Sequence, residues 1–395
     1  MKSFSYTCPV CGNKDLRYVG FKNNKPYCRL CISFQGKEAQ GKFEIDENAR
    51  VNIPYSLSDE QKEISNKVQS YYKNEKNTLI CAVCGAGKTE LVYGVIEYAL
   101  KSKKHVGFAI PRRDVVIELL PRLKSAFPSK KIIAVYGGHN AELEGDIILL
   151  TTHQLFRYNK YFDLLIMDEI DAFPFEGNQV LINIFRRSVK GNYVLMSATP
   201  SKEIIEEFSK EGNEIIYLFT RFHKHPIPVP WVNEKIGFFK IFLVQKYLKN
   251  YIQQNKPCLI FEPTIQMAND TFWALSKFFK KGRCTHSKSK NREDDVNNFK
   301  YGKLDYLVTT SILERGITVK NLQVIVNHAD HDLFSKSQLI QIAGRVGRKT
   351  GFETGDVIFI CSKSNEKIKD CINEIKFANM HLEKYGKEIR TAEIL

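Results

Sequence analysis

Apolar residues along this chain fall mainly in short unbroken runs instead of strict alternation, the pattern of strands buried on both faces. Such runs predict strands at Thr78–Val83, His105–Ile110, Lys131–Val135, Asp146–Leu150, Leu164–Met167, Tyr193–Met196 and Asn213–Phe219. Between them, helical spacing of apolar positions predicts helices at about 88–101, 112–126, 178–190 and 201–210. Regular alternation of strand and helix predicts a mostly parallel sheet covered by helices on both sides. A second series follows, with a helix over about 235–254 and strands at Cys258–Phe261, Asp305–Thr310, Leu322–Val326 and Asp356–Ile360. Pro226, Pro228 and Pro230 alternate between the two series and predict an extended connector. The expected organisation is a cysteine module at 1–35, a polar linker at 36–56, an α/β domain at 57–220, a connector at 221–234, a second α/β domain at 235–361 and a charged helical tail at 362–395.

Strand Thr78–Val83 runs into the turn Cys84–Gly87 and then into a helix that opens with Lys88 and Thr89. Strand, glycine-rich turn and helix in this order suit a phosphate-binding loop, and residues 82–89 fit A-x-x-x-x-G-K-T. Gly85, Ala86 and Gly87 would turn backbone N–H groups toward phosphates, Lys88 would reach the β/γ-phosphates and Thr89 would ligate magnesium. Upstream, Ser58 and Gln61 predict a capping box for a helix through about Tyr72, and Gln61 equally suits a side chain that reads the nucleotide base. The strand that ends in Asp168-Glu169-Ile170-Asp171 puts one carboxylate at the metal, with Asp168 as its holder and Glu169 as general base. Ser197-Ala198-Thr199 ends a strand in the same sheet. In the second domain, Arg345 and Arg348 are i,i+3 and are expected to share a helix face, with Gly344 and Gly347 allowing close approach to another surface. Each glycine inside a helix costs about 1 kcal/mol relative to alanine, which calls for such compensation.

Composition changes the picture in two ways. Lys and Arg number 59 against 44 Asp and Glu, a net charge of +15 that predicts a polyanionic partner, nucleic acid before membrane. Candidate contacts lie where strands end, as ligands of open α/β sheets do. They are Arg112 and Arg113, the Thr151-Thr152-His153 turn, Thr264, Thr309, Thr310 and Arg315, a set suited to phosphate oxygens and not to base edges. Four of the ten cysteines form two C-x-x-C pairs, Cys8/Cys11 and Cys28/Cys31, whose four thiolates favour one tetrahedral zinc in a reducing compartment. Between the pairs, Arg17, Tyr18, Phe21, Lys22, Lys25 and Tyr27 suit either stacking on bases or the small core and rim of a metal-held module. No apolar run reaches the length of about 18 residues that a membrane helix needs, and the N-terminus lacks a signal-peptide core, so a cytosolic protein is expected.

Taken in order, the phosphate loop, Asp-Glu-Ile-Asp, Ser-Ala-Thr and the Gln-x-x-Gly-Arg-x-x-Arg of 341–348 resemble the superfamily 2 helicases and translocases over residues 57–360. The paired cysteines, Pro111-Arg112-Arg113-Asp114-Val115, Thr152-His153-Gln154-Leu155, Ala172-Phe173-Pro174 and Leu313-Glu314-Arg315-Gly316-Ile317-Thr318 narrow this to a resemblance to the ComFA family of late competence ATPases, with Ile170 where valine is usual. Primosomal replication-restart helicases share several of these motifs but insert their paired cysteines within the core. The resemblance implies two tandem RecA-like domains, ATP with magnesium, Gln341 beside the nucleotide, and arginines 345 and 348 acting on the departing phosphate. It further implies single-stranded DNA as substrate, a ComFC-like protein and the uptake channel as partners, and a peripheral place at the inner face of the cell membrane. An ATP-dependent helicase of repair or replication restart is the alternative.

Overall fold

The computed structural model describes residues 5–171, 177–311, 319–349 and 351–392, with the backbone alone over 383–392. The chain forms two compact units, one built from the chain up to Ala82 and from Gly87–Leu218, the other from the chain from Phe219 onward together with the short segment Val83–Ala86.

The first unit opens with a hairpin of β1 (Val19–Lys22) and β2 (Lys25–Cys28), paired antiparallel. Asn23 and Asn24 form its tip with φ of 49° and 58°, the left-handed pair a tight hairpin turn requires. Residues 36–56 carry no regular element, as their lack of period predicts, but they are no free linker. Ile45 and Ala49 are buried, the Asp46 carboxylate lies 2.9 Å from Lys130 Nζ, and the backbone N–H of Gln40 donates to Glu144 at 2.7 Å. The segment is strapped along the unit it precedes.

There follow α1 (Asp59–Lys73), β3 (Thr78–Ala82), α2 (Lys88–Leu91), α3 (Tyr93–Lys101), β4 (Val106–Ile110), α4 (Arg113–Ala126), β5 (Ile132–Val135) and β6 (Ile147–Thr151). A 3-10 turn at Thr152–Arg157 leads to β7 (Phe162–Met167), α5 (Gln179–Ser188), β8 (Val189–Ser197), α6 (Lys202–Lys210) and β9 (Glu214–Leu218). The seven strands β3–β9 pair in parallel in the order β5-β6-β4-β7-β8-β3-β9. Strands β3 to β7 are buried at every position, which is why their sequences read as continuous apolar runs. The helix expected over 88–101 is broken at Val92, the C-cap of α2 and the N-cap of α3.

The second unit contains β10 (Trp231–Glu234), α7 (Phe239–Gln253), β11 (Cys258–Phe261), α8 (Ile265–Ser276), β12 (Gly282–Thr285), α9 (Arg292–Lys300), β13 (Tyr306–Thr309), β14 (Gln323–Asn327), α10 (Lys336–Ala343), β15 (Val357–Cys361) and α11 (Glu366–Ala392). Its sheet is also parallel, in the order β10-β15-β14-β11-β13-β12. The two units are thus tandem RecA-like parallel sheets, with the four-cysteine module at the N-terminus of the first. The edge strands β10 and β12 escape the apolar pattern because each is half exposed, and β10 lies within the stretch expected to be a bare connector. Helix α11 lays Ile368, Cys371 and Ile375 into the core of the second unit.

One expectation is corrected. Helix α10 stops at Ala343, so Arg345 and Arg348 lie in the turn after it and do not share a helix face. Gly347, beyond the helix end, holds φ of +73° within this turn, and an added Cβ there would stand 2.1 Å from the Glu353 carbonyl oxygen, so the close approach requires glycine.

Candidate active site

Because β7, β8 and β3 are parallel neighbours, their C-terminal ends emerge side by side, bringing Asp168, Ser197 and the phosphate loop to one edge of the first sheet. Gly85 and Gly87 hold φ of +87° and +77°, left-handed values that the tight loop requires and glycine adopts without strain, and the Ala86 N–H donates to the Val83 carbonyl oxygen at 3.1 Å. Ala86 is buried and Thr89 sits in the first turn of α2. Lys88 Nζ lies 4.0 Å from Asp168 Oδ1, a loose ion pair whose members can each turn toward a phosphate or a cation. Asp168 Oδ1 also accepts the Glu169 N–H at 2.8 Å, which fixes the carboxylate's orientation. Glu169 itself holds φ +59°, a strained conformation for a side chain of its kind and one that concentrates at functional positions. The Asp168 carboxylate and the Thr89 hydroxyl are hard oxygen donors of the kind magnesium takes.

Gln61 completes the expected capping box and also lies against the phosphate loop. Its Oε1 accepts the Ser58 N–H at 3.0 Å in the capping box, while its Nε2 would stand 2.6 Å from a Cβ at Gly87, so the amide presses against the loop. Behind these groups, Ser197 Oγ and Thr199 Oγ1 donate to the two oxygens of Asp171 at 2.9 and 2.7 Å, tying the end of β8 to the acidic strand end. Sequence reasoning missed Glu90. This buried carboxylate accepts from Tyr55 Oη at 2.9 Å and Arg122 at 2.8 Å, and it lies 3.4 Å from the position a Cβ would take at Gly87. Burial and then the Glu90 charge push the Tyr55 phenol up to about 12. An acidic residue on the inward side of α2, directly after Thr89, was the signal available.

In the second unit, Gln341 and Arg345 are buried, and Arg348 Nε donates to the Gly344 carbonyl oxygen at 2.7 Å. Arg221, expected only as connector, is buried at 2 % exposure. Its guanidinium donates to the carbonyl oxygens of Gly344 at 3.0 Å, Val346 at 2.9 Å and Gly347 at 3.3 Å, and so cradles the backbone that carries Arg345 and Arg348. Burial, followed by the neighbouring Arg348 charge, lowers its pKa to about 10. The fully buried Glu262, within the strand-end sequence Phe261-Glu262-Pro263-Thr264, accepts from Thr271 at 2.6 Å and Asn327 at 2.7 Å and faces His328 Nδ1 at 3.0 Å, a network at the ends of β11 and β14 whose distant partners no local spacing announced.

The four cysteines converge as expected. Their Sγ atoms all lie within 4.8 Å of one another, with Cys8 3.4 Å from Cys31 and Cys11 3.7 Å from Cys28. Four sulfurs held about 2.3 Å from one zinc stand about 3.8 Å apart, so the cluster fits the ion. Burial pushes the Cys11 and Cys31 thiols up, Cys11 to about 11; at Cys8 burial acts in the same sense, yet the N–H groups of Cys11 and Val10 and the neighbouring thiols bring it to about 7. A cation at the centre would compensate the thiolate charge that burial resists.

The expected strand-end contacts are placed unequally. Arg113 is exposed, its guanidinium over the Tyr136 ring at 5.0 Å, and Arg112 is the partly exposed N-cap of α4. Thr151 ends β6, Thr152 is wholly buried, and His153 stacks on Phe34. Thr264 spends its hydroxyl as the N-cap of α8, donated to by Met267 N–H at 3.1 Å. Thr309 is wholly buried and Thr310 nearly so, whereas Arg315 lies outside the described residues, as do Ala172, Phe173 and Pro174 and the stretch from Leu313 to Thr318.

Comparison with known proteins agrees with this geometry. Residues 54–202 match the family described as type III restriction enzyme, res subunit, and residues 240–350 match the helicase conserved C-terminal domain. The competence protein ComFA of Bacillus subtilis (strain 168) is 34% identical over 95% of this chain and 86% of its own length. The ATP-dependent DNA helicase RecG of Streptococcus pneumoniae serotype 4 is 23% identical over 81% of this chain and 51% of its own. Among solved structures, S. cerevisiae Dbp5 bound to RNA and ADP BeF3 superposes with a TM-score of 0.61 at 15% identity, over 82% of this chain and 92% of that one, and shows the shared fold. The chain belongs to the ComFA family of the superfamily 2 helicases and translocases, and is an ATP-dependent enzyme of that class.

Proposed function

We propose that this enzyme is an ATP-driven single-stranded DNA translocase that pulls transforming DNA inward during natural competence. The observation that carries the reading is the extent of the likeness to ComFA, which spans 95% of the chain and therefore reaches beyond the ATPase core. In this reading Gln61, Gly85, Ala86, Gly87 and Gln341 bind the nucleotide, and Lys88 binds its β/γ-phosphates. Thr89 and Asp168 hold magnesium, which when bound supplies positive charge to the phosphate oxygens. Glu169 orients the attacking water and takes its proton, and Arg345 and Arg348 stabilise the charge that develops on the departing phosphate. Arg112, Arg113, Thr151, His153, Thr264, Thr310 and Arg315 grip the strand through its phosphates, so the grip is indifferent to sequence, while Thr152 and Thr309, wholly buried, support those strand ends from within instead of touching the strand. Partners of this activity would be a ComFC-like protein and the uptake channel, at the inner face of the membrane. Among the described residues no helix is long and apolar enough to cross a membrane, so that placement would be peripheral.

The likeness to RecG supports a second reading, a duplex-unwinding enzyme of repair or replication restart. The two separate by experiment. A translocase of the proposed kind displaces streptavidin from a biotinylated single strand with ATP, leaves a blunt duplex intact, and restores DNA uptake to a competent host lacking its own copy, while a Lys88→Ala protein does not. Efficient unwinding of blunt duplex together with normal uptake by the Lys88→Ala protein would establish the repair reading instead.

A further inference from the structure

The role of the four-cysteine module is legible from what it touches within the first unit. Asn183 on α5 donates its Nδ2 to the Cys11 carbonyl oxygen at 2.7 Å, and Gln179 orients that amide through its own bond to Asn183 Oδ1 at 3.0 Å. Just past the second cysteine pair, the Phe34 ring stacks on His153 with centroids 5.9 Å apart and planes 16° apart, and meets Phe156 at 6.0 Å. The next residues are tied to the same turn. Arg157 Nη1 donates to the Lys37 carbonyl oxygen at 2.8 Å, and Ala39 N–H donates to the Arg157 carbonyl oxygen at 2.9 Å. A Cβ at Gly36 would stand 2.6 Å from Arg157 Nη1, so a side chain there would displace the guanidinium from this contact. Arg187 on α5 closes the set, donating to the Phe156 carbonyl oxygen at 2.8 Å and to Glu38 at 3.1 Å. The cysteines share one apolar cluster with Phe156, Ile184 and Phe185.

We infer that the metal-held module is a brace for the 152–157 turn, with Phe34 as its positioning residue. It acts on nucleic acid through the shape of that turn. A module of this size is ordered by its metal, and so the position of Phe34, and with it the turn, depends on the four sulfurs. The inference rests on the assignment of Thr151 and His153 to strand contact.

The test uses the full chain, with zinc bound, as Phe34→Ala and Phe34→Tyr. Metal content, amide hydrogen exchange at 152–158, affinity for a fluorescent oligo(dT) and affinity for a fluorescent ATP analogue are measured together. Phe34→Ala should keep one zinc per chain, exchange about tenfold faster over 152–158 and bind oligo(dT) about fivefold more weakly, with nucleotide affinity within about twofold of wild type. Phe34→Tyr, which keeps the ring stack, should behave as wild type. If Phe34→Ala loses its metal, the same exchange readout is taken on wild-type protein stripped of zinc by a chelator. Unchanged exchange over 152–158 in zinc-loaded Phe34→Ala, or in the stripped wild type, overturns the brace. Faster exchange with unchanged oligo(dT) affinity overturns the link to the grip and removes this turn from the strand contacts, while the translocase reading stands or falls on its own assay.

Discussion

Lys88, Asp168 and Glu169 occupy one strand edge but stand in different relations to a nucleotide, and substitution should separate them. Lys88→Ala should weaken both nucleotide binding and turnover, since the ammonium meets the ground-state phosphates. Glu169→Gln keeps size and shape, so binding should persist while turnover falls by a factor on the order of 10²–10⁴, the usual worth of a positioned base. Arg348→Ala should likewise spare binding more than turnover, because its attraction grows as charge develops. Equilibrium binding of an ATP analogue set beside steady-state turnover reads all three, and wild-type turnover in Arg348→Ala would remove the second unit from the chemistry. At this scale the sequence was legible wherever a residue's place follows from its neighbours in the chain, as with Lys88 opening α2 after Gly87 or Asp168 at the end of the apolar run of β7. It was silent where the role follows from a distant partner. Glu90 with Tyr55 and Arg122, and Glu262 with Asn327 and His328, are assembled by the fold and leave no local spacing to read.

Elements add what single residues cannot. In the turn that follows α10, Arg221 satisfies three carbonyl oxygens that no longer have a helical partner, those of Gly344, Val346 and Gly347. Lysine carries the same charge without a planar fork, so Arg221→Lys should cost about 1–3 kcal/mol for each buried carbonyl left without a donor. Thermal unfolding would show that loss, and turnover should fall further than the fall in folded protein explains if the cradle orients Arg345 and Arg348. Equal losses would make Arg221 a packing residue only. The cysteine module offers a simpler check. One zinc per purified chain is expected by metal analysis, and Cys28→Ser with Cys31→Ser should abolish it; stoichiometric zinc in that double variant would place the metal elsewhere. Central strands such as β3 and β7 were legible because burial on both faces writes an unbroken apolar run. Edge strands β10 and β12 were not, since exposure of one side dilutes the same signal.

At the scale of the molecule, two parallel sheets carry the acidic strand end, the phosphate loop and most of the candidate strand contacts where strands end, and the chain has a net charge of +15. A charge of that size favours a polyanion without choosing among DNA, RNA, single strand and duplex, so the choice of substrate rests on kinship with ComFA and must be measured. Binding through phosphates should weaken steeply with salt whatever the sequence offered, because each neutralised phosphate releases counterions. The most direct test of the central claim is the ATP turnover number of the zinc-loaded wild-type enzyme with no nucleic acid, with single-stranded DNA, with blunt duplex DNA and with RNA, at one salt concentration. A single-strand-driven translocase should be stimulated most by single-stranded DNA and far less by blunt duplex. Equal stimulation by blunt duplex, or turnover indifferent to all three polymers, would contradict the account.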